Sequence, residues 1–181
     1  MGQSPHVLGV LQDCRDEDGF DFARDALLMA SFWGKNMIGF ILTGHGGFAG
    51  GLYSSIKMIA GEQDELSVVE FHDDETASEF PQRLRSVISG YAESDDEVIV
   101  FCDLQGGTPF NQAMMASAAL PNVSVVAGVN LPCMVTAALS RPEAENAESL
   151  IEESLAAGRT GLVHSVLSVS SEDESSQEEG I

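Results

Sequence analysis

The chain reads as an α/β protein with a doubly wound, mostly parallel sheet in the strand order 2-1-3-4 and helices on both faces. Two observations carry that reading. Between residues 37 and 169, apolar strand-like runs alternate with amphipathic helical stretches, the pattern that lays parallel strands under covering helices. The runs IGFILT at 38–43 and VIVF at 98–101 are nearly all apolar. A sheet with one wet face would alternate apolar and polar residues, so these strands are expected to be covered on both sides.

Taken in order, residues 1–36 form a mixed leader with six acidic residues from Asp13 to Asp25 and one helical pattern, about Phe22 to Phe32. The first strand opens the domain after Met37 and ends in Gly44-His45-Gly46-Gly47. Phe48, Leu52, Ile56 and Ile59 then recur at helical spacing until Gly61 stops the helix. Ser67 to Phe71 is a short second strand. Phe80, Leu84, Val87, Ile88 and Tyr91 share one helical face, and Pro81 fits that helix if it starts near Ser78, because a first turn needs no proline N–H. Glu97 to Cys102 is the third strand, closed by Asp103. Gly106-Gly107-Thr108-Pro109 opens a helix running to about Ala119. Val123 to Val129 is the fourth strand, helices are expected at about 132–140 and 144–157, and Leu162 to Val169 is a last strand. Residues 170–181, SSEDESSQEEGI, are an acidic tail expected to be disordered.

Composition narrows the function. The 29 acidic and 8 basic residues give a formal net charge of -21, which repels nucleic acid and anionic membranes and favours a partner with a basic face. Cys14, Cys102 and Cys133 form no CxxC pair and suit a reducing compartment. No apolar run approaches the ~20 residues that cross a bilayer, and the first residues lack the basic region of a signal peptide. The expected location is the cytoplasm.

In doubly wound sheets, sites form beyond the carboxyl ends of strands where the strand order reverses, here between strands 1 and 3. Two loops fall there: Gly44-His45-Gly46-Gly47 and Asp103-Leu104-Gln105-Gly106-Gly107-Thr108-Pro109. A histidine flanked by glycines is open to a macromolecular partner. A carboxylate on one ring nitrogen fixes the tautomer and leaves the other nitrogen nucleophilic, the role expected of Asp103. Gly46 and Gly47 begin one helix, and Gly106, Gly107 and Thr108 begin another, with Thr108 the expected N-cap. Their amides and the Thr108 hydroxyl are expected to hold phosphoryl oxygens, which calls for neither a metal nor another cofactor. His6, His72 and His164 lack such a setting; the His72-Asp73-Asp74-Glu75 run is read as a solvated loop.

One competing motif is present. Gly44 to Ala49 matches GxGxxA between a strand and a helix, the dinucleotide-binding pattern, with Glu70 near the ribose-binding position. That reading, an oxidoreductase, leaves the Asp103–Thr108 loop unexplained. A phosphorylation-switched regulatory module is the other alternative.

The run MIGFILTGHGGFAGGLYSSIKMIAG, the loop DLQGGTPFN and the segment VAGVNLP resemble the mannose-family enzyme IIA of the bacterial phosphotransferase system, with wording most similar to the amino-sugar branch. The resemblance covers about 37–169, in the family's order and spacing. It implies a protein-histidine phosphotransferase: His45 takes phosphate from the phosphocarrier HPr and passes it to a separate IIB protein, which phosphorylates sugar imported by membrane IIC and IID subunits. It also implies that Asp103 pairs with His45, that Thr108 helps hold the phosphoryl group, and that a homodimer exchanges the last strand, Leu162 to Val169, as an antiparallel partner. Family chains usually begin where Met37 stands, so the leader at 1–36 is expected to be non-native. Leu104-Gln105 replaces an aromatic residue found in some relatives.

Overall fold

The structure, a computed structural model, describes residues 38–75, 78–93 and 97–167. The leader with its helical pattern, and the acidic tail, lie outside the described residues. Strands β1 (Gly39–His45), β2 (Leu66–Phe71), β3 (Val98–Cys102) and β4 (Val123–Ala127) form one all-parallel sheet in the order β2-β1-β3-β4. Helices α1 (Phe48–Ala60), α2 (Glu79–Ala92), α3 (Thr108–Ser117), α4 (Leu131–Ser140) and α5 (Ala147–Thr160) connect and follow the strands. The expected fold class and strand order are those observed.

Two cores sandwich the sheet. On one face Phe40 and Leu42 of β1 and Ile99 and Phe101 of β3 pack under Ile56 of α1, Met134 of α4 and Leu150 of α5. On the other, Ile41, Val69, Val98 and Val100 meet Phe80, Leu84 and Ile88 of α2 and Ala113 of α3. Successive side chains in a strand point to opposite faces, so an all-apolar run feeds both cores. Each fully buried large side chain contributes about 1.5–3 kcal/mol. Thr43 is the buried polar residue of β1, and its hydroxyl donates to the Val69 carbonyl at 2.7 Å.

Helix ends account for most boundary differences. Ser78 caps α2, so Pro81 falls in the first turn as expected. α4 and α5 start at asparagine caps: Asn130 accepts from the Cys133 amide and Asn146 from the Ser149 amide. The second cap moves α5 to 147–160 from the expected 144–157. β4 stops at Ala127 because Gly128 turns the chain at φ 77°. Thr108 is the first residue of α3 and Gly107 its N-cap, which corrects the expected Thr108 cap.

The last strand differs more. Residues 162–167 follow α5 without strand pairing among the described residues, and 168–169 lie outside them. Leu162, Val163, Val166 and Leu167 are 75–89% exposed. The sequence pattern marks an apolar segment, yet among the described residues it has no partner strand. Among the described residues β4 keeps an open outer edge.

Candidate active site

β1 and β3 are hydrogen-bonded neighbours, so the loops after them emerge side by side. His45 ends β1, and Asp103 follows β3 directly. Although 58 positions apart, they meet: His45 Nδ1 lies 2.8 Å from Asp103 Oδ2, and the His45 amide donates to the same oxygen at 2.8 Å. The Asp103 side chain is 13% exposed and the His45 side chain 44%. An ionised carboxylate accepts only, so Nδ1 carries the proton and Nε2 is left with its lone pair. Burial pushes the Asp103 carboxyl up, but the hydrogen bonds from the His45 amide and imidazole, the His45 charge and the Leu104 amide together outweigh burial and hold it below its usual range.

The imidazole is packed on two sides. Phe71 of β2 meets it edge-on, with ring centroids 5.7 Å apart. On the other side lies Gly107, where a Cβ would sit 2.8 Å from His45 Cε1 and 3.5 Å from Nε2. Any side chain at 107 would collide with the ring beside its nucleophilic nitrogen. Gly46 and Gly106 turn the two loops at φ 53° and 79°, values costly for residues with a Cβ.

The backbone donors are fewer than the sequence suggests. The Gly46 amide already donates to the Phe71 carbonyl at 2.7 Å, and the Gly107 amide to the Leu104 carbonyl at 3.2 Å. Gly46 and Gly107 therefore shape the loops and do not offer free N–H groups. Gly47 at the start of α1, Gly106, and Thr108 at the start of α3 keep theirs among the described residues. Because Thr108 is not the cap, its exposed hydroxyl is not engaged by the helix. Asn111 ties the second loop down, its Nδ2 donating to the Gly106 carbonyl at 2.9 Å. Sequence reasoning passed over Asn111; its position one turn into a glycine-opened helix was the available signal.

The other titratable residues do not join this site. Burial, aided by the Asp103 charge, pushes the Cys102 thiol up to about 12, and burial also raises Cys133, so neither forms a thiolate near neutral pH. His72 pairs with Glu70 at 3.5 Å, His164 is exposed, and His6 lies outside the described residues. Among the described residues no cluster of three or more His, Cys, Asp and Glu could hold a metal. The dinucleotide reading loses its ribose acid, since Glu70 turns onto α1 and accepts the Gly50 amide at 3.1 Å. Among the described residues no helix is long and apolar enough to cross a membrane.

A family model, EIIA-man, described as the PTS system fructose IIA component, matches residues 39–155. This chain belongs to that family. The loops carrying His45 and Asp103 both lie inside the matched span. The chain is 34% identical over 99 residues to the fructose-specific EIIA component of Bacillus subtilis (strain 168), covering 55% of this chain and 67% of the relative. It is 33% identical over 96 residues to the sorbose-specific EIIA component of Klebsiella pneumoniae, covering 53% and 69%. Among solved structures, the mannose/sorbose-specific IIA subunit from Enterococcus faecalis matches with a TM-score of 0.67 at 30% identity, over 74% of this chain and 98% of that one. The chain is thus a mannose-family IIA component of a sugar phosphotransferase system, as the resemblance implied, and the oxidoreductase alternative is set aside.

Proposed function

We propose that this protein is a phosphohistidine carrier, accepting a phosphoryl group from HPr on His45 Nε2 and delivering it to a separate IIB protein that serves membrane IIC and IID subunits. The observation that carries the reading is the 2.8 Å contact between His45 Nδ1 and Asp103 Oδ2 on a half-exposed ring. The contact frees Nε2 for in-line attack. As the Nε2–P bond forms, the donor's P–N bond breaks and its electron pair returns to the donor imidazole. Asp103 faces the positive charge the His45 ring acquires, and keeps the Nδ1 proton in its hydrogen bond. The amides of Gly47, Gly106 and Thr108 and the Thr108 hydroxyl are the donors for phosphoryl oxygens, with Gly46 and Gly107 shaping their loops. The protein works in the cytoplasm, where HPr resides.

A homodimer fits the same reading. The open β4 edge borders a groove of about 530 Å³ lined by Phe110, Met114, Val125, Ile151 and Leu155. The apolar 162–169 segment of a second copy would pair with that edge as an antiparallel strand. Light scattering should give twice the chain mass; a monomer at micromolar concentration contradicts the exchange.

The test of the carrier is direct. With phosphoenolpyruvate, enzyme I and HPr, the wild-type protein should become labelled and then discharge to a IIB protein. His45→Ala should take no label while keeping its thermal midpoint. Labelling of a folded His45→Ala protein would falsify the assignment.

A further inference from the structure

α1 begins with a weak first turn. Its N-cap, Gly47, has no side chain to bond the free amides, no acidic residue occupies the first turn, and Gly50 and Gly51 follow. The missing cap comes from the neighbouring strand. Glu70, registered opposite Gly44, sends Oε1 to the Gly50 amide at 3.1 Å. A Cβ at residue 50 would stand 2.5 Å from that oxygen, so glycine at this helix position is what admits the carboxylate. Glu70 is only 27% exposed, and its other oxygen lies 3.5 Å from His72 Nε2. Arg83, the nearby cation, donates to the Glu70 carbonyl and to Glu75 instead, so among the described residues no lysine or arginine neutralises the Glu70 carboxylate.

The positive end of α1 therefore already carries an anion before any phosphoryl group arrives. We propose that Glu70 is a positioning residue whose charge, shared on the helix terminus that serves His45, keeps the phosphorylated protein high enough in energy to release its phosphoryl group onward. This rests on the carrier reading. A carrier must give up what it accepts, and a helix end free of other anions would hold a dianionic group more tightly. Glu70 acts through α1 and touches neither His45 nor, on this account, the phosphoryl group.

The test is the equilibrium between phosphorylated HPr plus the full chain and HPr plus the phosphorylated chain, read by mass spectrometry at equal concentrations. Glu70→Gln keeps an acceptor for the Gly50 amide and removes the charge. It should shift the constant towards the phosphorylated chain by about two- to fivefold at low salt, the size of one charge at a helix end, and the shift should shrink at high salt. Gly50→Ala, which forces the carboxylate off the helix, should shift it the same way. A folded Glu70→Gln protein with an unchanged constant overturns the proposal; if that variant fails to fold, Gly50→Ala decides alone. Absence of label on the wild-type chain defeats the carrier reading itself, whereas normal labelling with an unmoved constant defeats only the role of Glu70.

Discussion

The two ends of the sheet are built on opposite plans. At the amino end of the strands, Arg141, just after α4, closes the structure. Its guanidinium lies 4.6 Å from the Phe40 ring centre and donates to the Asp64 carbonyl at 2.6 Å and to the carbonyls of Ile38 and Glu65 at 3.4 Å. One cation there satisfies three carbonyls from two segments. At the carboxyl end the chain leaves donors open, spends glycines on close approach, and exposes half an imidazole. Stability is gathered at one end, while the other leaves donors unsatisfied, as the proposed carrier role requires.

The sharpest way to break that contrast is to alter one residue at each end. Asp103→Asn should reduce the labelling rate about 10- to 100-fold, by losing the carboxylate that fixes the ring, with only a modest change in thermal midpoint. Arg141→Ala should do the reverse. Stripping the guanidinium from its carbonyls and from Phe40 should destabilise the fold by about 2–3 kcal/mol in chemical denaturation, while labelling per folded molecule stays at the wild-type rate. Equal effects of both variants on rate would erase the distinction between the two ends.

A smaller effect sharpens it further. The Asp103 carboxyl is held below its usual range in the fold, so its stabilising contribution is full above the unfolded value of about 3.9 and is lost as pH falls through the folded value. The difference in thermal midpoint between wild type and Asp103→Asn should be constant at neutral pH and close only in that acidic window. A difference that closes near pH 7 instead would assign the contribution to another group.

How much of this was legible in the sequence follows from how local each signal is. The apolar runs of β1 and β3 each feed two cores, so they announce buried parallel strands on their own. Gly61 and Pro81 mark helix ends through backbone chemistry alone. The meeting of His45 and Asp103 needed only the strand order and the rule that sites form where that order reverses. By contrast, the apolar periodicity does not show the caps at Asn130 and Asn146, and it sets α5 three residues early. The commitments of the Gly46 and Gly107 amides depend on turn geometry that residue type does not reveal. Glu70 was noticed for its spacing, yet its partner, the Gly50 amide, is set by how α1 packs on β2. Arg141 reaches segments 76 to 103 positions away, and no local pattern advertises that. The 162–167 segment shows the limit from the other side: its apolar residues signal pairing, but the described residues supply no partner strand.

The measurement closest to the central claim is nitrogen-15 NMR of the phosphorylated protein with labelled histidine. Phosphorus is expected on Nε2 of His45, with Nδ1 still protonated and hydrogen-bonded to Asp103. Phosphorus on Nδ1, or on any other residue, would contradict it.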